Sequence, residues 1–259
     1  MRKERRFHKD RMKKGIYILP NLITSAGLFA GFSAIISAMN GRYEMAAVLI
    51  FIAAALDAVD GRIARLTKTT SKFGAEYDSL ADLVAFGVAP ALLAYTWSLF
   101  SFGKWGWLVA FLYVVCGALR LARFNVQIGL IESRVFNGLP IPGAACVIAS
   151  SVLLYYKLGG EGRFESLSVL IGVIALSLLM VSSIKYYSFK DLNWLARKPI
   201  TSLLIIILIM IVIAAEPQIM VFTFVAGYSL SGPAWFIYRL SRREVSWVTK
   251  KEEGKSEAS

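Results

Sequence analysis

Apolar runs of about 20 residues recur along the whole of this 259-residue chain, each long enough to cross roughly 30 Å of hydrocarbon. Mean hydropathy is +0.60 and 57% of residues are hydrophobic, which lies outside the range of soluble globular domains. The pattern predicts an all-α, polytopic integral membrane helical bundle. We place about eight spans, at Leu19–Met39, Met45–Leu66, Tyr77–Leu99, Trp105–Phe124, Ile141–Tyr156, Leu167–Ile184, Ile200–Ala214 and Ile219–Ile237. A basic segment over 1–18 precedes them, and a charged tail over 241–259, unstructured after Lys250, follows the transmembrane domain of 19–240. The basic N-terminus does not read as a signal peptide, because the apolar segment after it is too long and lacks a small-residue cleavage site.

The net charge of +12 would suggest nucleic acid as a partner in a soluble protein. Here it follows from topology. With the N-terminus in the cytoplasm, the four outward turns hold only Arg42, Lys104, Lys157 and Arg163 of the 29 Lys and Arg. The excess of positive residues on one side fixes an even number of spans, with both termini cytoplasmic in the cell membrane. No nucleic-acid partner is expected. Cys116 and Cys146 fall in apolar segments and read as small buried hydrophobes. The single histidine, His8, sits in the basic tail, which removes histidine-based catalysis and histidine-ligated metals from consideration.

Against this background four carboxylates stand out at the cytoplasmic ends of spans two and three. Asp57, Asp60, Gly61 and Ala64 share one helical face, and Asp78 and Asp82 share a face of the next helix. Ionisable groups near lipid cost a few kcal/mol each by insertion scales, so they need a partner or a task. Two facing Asp pairs make a hard-oxygen cage suited to Mg²⁺ or Mn²⁺ rather than zinc, since thiolate and imidazole are absent. The polar linker Thr67–Lys72 reads as a tight interfacial turn. Arg62 and Lys68 read as positive-inside anchors. Gly27, Gly31 and Ser33 suggest close helix packing in span one. Pro90, Pro140 and Pro142 bend or start helices, and the aromatics between Lys185 and Trp194 read as an interfacial belt.

The full pattern is D-x₂-D-G-x₂-A-R-x₈-G-x₃-D-x₃-D, met at Asp57, Asp60, Gly61, Ala64, Arg65, Gly74, Asp78 and Asp82. It resembles the signature of the CDP-alcohol phosphotransferases, membrane enzymes that build phospholipid head groups. The resemblance implies a six-helix catalytic core, a homodimer, and a pair of divalent cations held by Asp57, Asp60, Asp78 and Asp82. It also implies that Asp82 is the general base, and that Asn21, Asp57, Gly61, Ala64, Arg65, Ser71 and Gly74 hold the CDP-lipid. The run Gly117–Asn125, followed by Phe136–Pro142, is similar to the branch whose donor is CDP-diacylglycerol and whose acceptor is L-serine. Arg120, Arg123 and Asn125 are the acceptor candidates there, although the same arginines suit inositol phosphate or glycerol phosphate, and inositol and an ether-lipid donor remain open. An integral prenyltransferase would carry its two acidic motifs far apart in sequence. A cation transporter would spread its acids across the bilayer, whereas these four gather at one face.

Overall fold

The computed structural model describes residues 2–67, 72–127, 135–187 and 215–256, with side chains placed for 20–63, 73–126, 138–184, 186 and 215–236. Seven helical rods make up the described chain. They are α1 (Arg2–Met39), α2 (Tyr43–Thr67), α3, α4 (Lys104–Gln127), α5 (Ile141–Lys157), α6 (Leu167–Val181) and α7 (Pro217–Ser256). Rod α3 is composite. An α-helix, Lys72–Asp82, runs on through a π-turn (Leu83–Val88), a short α-segment (Ala89–Ala94), a second π-turn (Tyr95–Leu99) and a 3-10 turn (Phe100–Phe102). Four helical stretches are long and apolar enough to cross a membrane: Pro20–Met39, Phe73–Phe102, Lys104–Val126 and Pro217–Phe236. Two shorter apolar helices, Ile141–Lys157 and Leu167–Val181, accompany them, as suits a multi-pass membrane protein.

The expected span Ile200–Ala214 lies outside the described residues, so about eight spans becomes seven rods among those described. The bundle is all-α as expected, with one short extended element added to it. Val135–Asn137 and Lys185–Tyr187 form a three-rung antiparallel ladder, with Phe136 opposite Tyr186. These short β-branched and aromatic runs suit extended backbone, and they bring the chain after α4 alongside the chain after α6. Helix also extends further at both termini than expected. Rod α1 begins at Arg2 and passes through Pro20, and α7 reaches Ser256, beyond Lys250 where no structure was expected. Lys and Glu are good helix formers and carry the helix out of the apolar region.

A seam of small residues joins α1 to α2. Ala30, Ala34 and Ala38 on α1 and Ala46, Ala47, Ile50 and Ala53 on α2 are buried, all at helical spacing. Small side chains let helix backbones approach closely, which is the main source of attraction between helices in lipid. The π-turn of α3 packs at the crossing with α1. A Cβ added at Gly31 would lie 2.6 Å from the Cα of Ala85, so only glycine admits that approach. Gly27 makes ordinary contacts by comparison, with a Cβ there meeting Leu56 at 3.9 Å. Pro140 caps the start of α5 with Pro142 in its first turn, and Pro90 opens the short α-segment of α3, as expected of helix-starting prolines. At the end of the bundle remote from the aspartates, Trp97, Tyr155 and Phe164 pack with ring centroids 4.7–5.6 Å apart.

Replacing Gly31 by alanine should lower stability by about 1–3 kcal/mol, the usual cost of overpacking. Gly172 provides the control, because a Cβ added there would meet nothing within 4 Å, and Gly172→Ala should be neutral. Thermal unfolding in detergent checks both, and equal midpoints for the two variants would refute the crossing.

Candidate metal and nucleotide site

The site forms where α1, α2 and α3 meet. Helical spacing puts Asp57 and Asp60 on the side of α2 that faces the other two rods, and puts Asp78 and Asp82 on one side of α3. Asp57, Asp78 and Asp82 each present a carboxylate oxygen, and these oxygens lie within 4.8 Å of one another. Asp60 adjoins them and is the most buried of the four, at 5% exposure. Its Oδ2 accepts a hydrogen bond from the hydroxyl of Thr24 on α1, while its Oδ1 is buried with no hydrogen-bond partner. Thr24 and Asp60 extend the small-residue seam, each two helical turns from a further member of its own stripe, Gly31 and Ala53 respectively.

A cavity of about 10 Å³ lies among Thr24, Asp57, Asp60, Asp78 and Asp82, with Gly27, Ala53 and Ala81 lining its apolar side. That is space on the scale of one water or one small ion. A larger cavity, about 330 Å³, lies toward the other end of the bundle among Trp97, Tyr155, Phe164 and Val173, and no carboxylate of the described residues lines it.

Electrostatics decide what the aspartate cluster requires. Among the described residues the one salt bridge is Lys157–Glu216, at 3.1 Å, and it belongs to the opposite end. Two carboxylates about 4 Å apart repel by roughly 4 kcal/mol at an effective dielectric of 20, and three of them repel pairwise. Set against a net stability of about 5–15 kcal/mol for a typical domain, that repulsion is substantial. The buried Asp60 Oδ1 adds the cost of an unsatisfied acceptor. An all-oxygen donor set of this kind fits Mg²⁺ or Mn²⁺.

The other expected residues fall around this cluster to different extents. Asn21 is on α1 one turn before Ser25, and its carbonyl accepts from the Ser25 hydroxyl at 2.8 Å. Gly61 is exposed on α2 beside Asp60, and Gly74 is half-buried in the first turn of α3. The backbone of Ala64 and Arg65 continues α2, but their side chains lie outside the described set, as does all of Ser71. Arg120 and Arg123 donate from Nη1 to the carbonyls of Met180, at 3.3 Å, and Val181, at 3.1 Å. They therefore cap the last turn of α6, where cations oppose the negative end of the helix dipole. Asn125 donates from Nδ2 to the Ser79 hydroxyl at 3.0 Å, which ties the end of α4 to the aspartate-bearing turn of α3.

Three features were not foreseen from the sequence. Thr24 is one; its signal was a hydroxyl in an apolar span, in helical phase with Gly27 and Gly31. The pairing of Ser79 with Asn125 is another. The third is Tyr186, expected in an interfacial belt. It is instead buried at 1% exposure, with its hydroxyl donating to the Ser229 carbonyl at 3.0 Å, so it docks α7 onto the ladder.

Comparison with known proteins agrees with this geometry. Residues 17–181 match the CDP-alcohol phosphatidyltransferase family, and the chain belongs to it. Several relatives are similar over most of the chain. A CDP-diacylglycerol–serine O-phosphatidyltransferase of Helicobacter pylori is 46% identical over 184 residues, covering 69% of this chain and 76% of its own. The Bacillus subtilis protein of the same name is 38% identical over 172 residues, covering 66% of this chain and 91% of its own. An archaetidylserine synthase of Methanothermobacter thermautotrophicus is 38% identical over 179 residues, covering 68% and 72%.

Removing one buried charge should stabilise the metal-free protein. Asp60→Asn is expected to raise the unfolding midpoint in EDTA by a few degrees, corresponding to about 1 kcal/mol. Millimolar Mn²⁺ should then raise the wild-type midpoint and leave that of Asp60→Asn nearly unmoved, since a ligand stabilises only the state that binds it. A wild-type midpoint insensitive to Mn²⁺ would contradict the cage.

Proposed function

We propose that this chain transfers a phosphatidyl group from CDP-diacylglycerol to the hydroxyl of L-serine, giving phosphatidylserine and CMP. The observation that carries the reading is the cluster of aspartates from α2 and α3, uncompensated by any described cation and completed by the orphaned Oδ1 of Asp60. The names of the relatives support serine as the acceptor. In this reading Asp57, Asp60, Asp78 and Asp82 would hold two divalent cations, Mg²⁺ or Mn²⁺, which supply neutralisation of the pyrophosphate oxygens and of the charge left on departing CMP.

The chain's own groups account for the rest of the reaction. The serine oxygen forms a bond to the phosphorus that bears diacylglycerol, and the bond from that phosphorus to the oxygen of CMP breaks in line. Asp82 accepts the proton of the attacking hydroxyl as general base. The hydroxyls nearest the aspartates, Thr24, Ser25, Tyr77 and Ser79, are each engaged in hydrogen bonds, and one base with two cations suffices, so direct transfer is favoured over a phosphatidyl-enzyme. Gly61 and Ala64 leave the face of α2 bare for the nucleotide, with Gly74 opposite on α3. Asn21, Asp57, Arg65 and Ser71 complete the CDP-lipid contacts, a guanidinium fork and a hydroxyl being suited to phosphate. Arg120 and Arg123 are assigned to the carboxylate of the acceptor.

Charge asymmetry supports placing this end of the bundle, and both termini, on the cytoplasmic side of the cell membrane. A homodimer forms part of the same reading. The likeness to an archaetidylserine synthase favours one variant, the same transfer from an ether-lipid donor.

Purified protein given CDP-diacylglycerol, L-serine and Mn²⁺ or Mg²⁺ should release CMP, and EDTA should stop it. Asp82→Asn should abolish turnover, by roughly a hundredfold or more as expected for loss of a general base, while CDP-lipid binding persists. Wild-type turnover in that variant would overturn the role of Asp82. Arg120→Ala should raise the KM for serine about tenfold, the equivalent of one charge-assisted hydrogen bond, with the KM for CDP-diacylglycerol unchanged. An unaltered serine KM would leave Arg120 as a helix cap alone.

A further inference from the structure

Asp78 is bracketed by two hydrogen bonds that leave α3 in different directions. On one side the Tyr77 phenol is 2.8 Å from the hydroxyl of Ser25 on α1. On the other, Ser79 accepts from Nδ2 of Asn125 on α4 at 3.0 Å. The Ser79 oxygen is also 3.0 Å from the Ala75 carbonyl one turn earlier and 3.3 Å from Oδ1 of the same asparagine. A hydroxyl has one hydrogen to give. The two shorter contacts are met together when Asn125 donates to Ser79 and Ser79 donates to Ala75.

This pairing has a mechanical consequence. Rod α4 carries Arg120 and Arg123, which donate to carbonyls at the end of α6. Rod α3 carries Asp78 and Asp82. Two hydrogen bonds tie these rods beside the aspartates: Tyr113 donates to the Phe86 carbonyl at 3.2 Å one turn after Asp82, and the Ser79–Asn125 bond, the side-chain pair nearer the end of α4, falls within one turn of both aspartates.

We propose that the Ser79–Asn125 hydrogen bond is a positioning device that sets the acceptor-reading end of α4 in register with the aspartates of α3. The inference rests on the phosphatidyl-transfer reading, in which the two rods hold opposite reactants. Asn125 then acts through Ser79 and makes no contact with the acceptor, which revises the role suggested by its place beside the arginines. A misplacement of about 1 Å between reacting groups lowers rates by as much as a hundredfold, whereas one neutral hydrogen bond contributes little to folding. Loss of the bond should therefore appear in kcat before it appears in stability.

The test is a double-mutant cycle on the full chain in detergent micelles, following CMP release at saturating CDP-diacylglycerol with serine varied. Ser79→Ala and Asn125→Ala should each lower kcat by on the order of tenfold, with the serine KM changed by less than about twofold. The double variant should be no slower than the slower single variant, because both substitutions remove the same bond. Ser79→Thr keeps the hydroxyl and should recover most of the rate. All four variants should keep the thermal shift that Mn²⁺ induces in the wild type, and a variant lacking it would overturn the proposal by showing that the bond builds the cage itself. A raised serine KM in Asn125→Ala alone, or losses that multiply in the double variant, would overturn it and return Asn125 to the acceptor. If the wild type releases no CMP with serine, the phosphatidyl-transfer reading fails first, and this inference fails with it.

Discussion

Much of this structure answers to one electrostatic constraint. Four aspartates are gathered at one end of a bundle made for lipid, and no described cation stands among them. In water such a cluster would spread apart. Here α2 and α3 are held by packing along their remaining length, so the carboxylates cannot relax away from each other. A rigid apolar frame thus keeps a strained polar end in place, and under the proposed function divalent cations from solution would complete that end.

The frame achieves this with very small residues. Ala30, Ala34 and Ala38 against Ala46, Ala47 and Ala53 bring α1 and α2 into close contact, and Gly31 lets the π-turn of α3 press onto the same rod. That π-turn starts at Leu83, immediately after Asp82, and π-turns inside helices often accompany functional sites. Rod α1 supplies none of the carboxylates but lies behind all of them. Through Thr24 it fixes one oxygen of Asp60 while the other is buried without a hydrogen-bond partner, and through Ser25 it holds Tyr77 beside Asp78.

The aspartates could be read from the sequence because their spacing is a helical period, and a period needs no tertiary information. The same holds for the prolines that start helices and for Gly31 at a tight crossing. Partners set by tertiary contact were out of reach. The helical phase of Thr24 with Gly27 and Gly31 puts it on the packed face of α1 but does not name Asp60 as its partner, and Ser79 and Asn125 are 46 residues apart. Tyr186 looked interfacial because it stands among lysines, yet the ladder between Val135–Asn137 and Lys185–Tyr187 turns it inward onto α7. Arg120 and Arg123 kept their expected place at the end of α4 and gained a structural duty, capping α6, that spacing alone could not reveal.

If these aspartates form a divalent-cation site that works together with a cytidine nucleotide, the bound ions can be counted. Electron paramagnetic resonance of Mn²⁺ titrated into the detergent-solubilised protein, with and without CDP, measures this directly. Saturable binding should approach two Mn²⁺ per chain in the presence of CDP, and should be abolished when Asp57 and Asp78 are both replaced by alanine. Absence of saturable binding in the wild type, or equal binding after both replacements, would contradict the site.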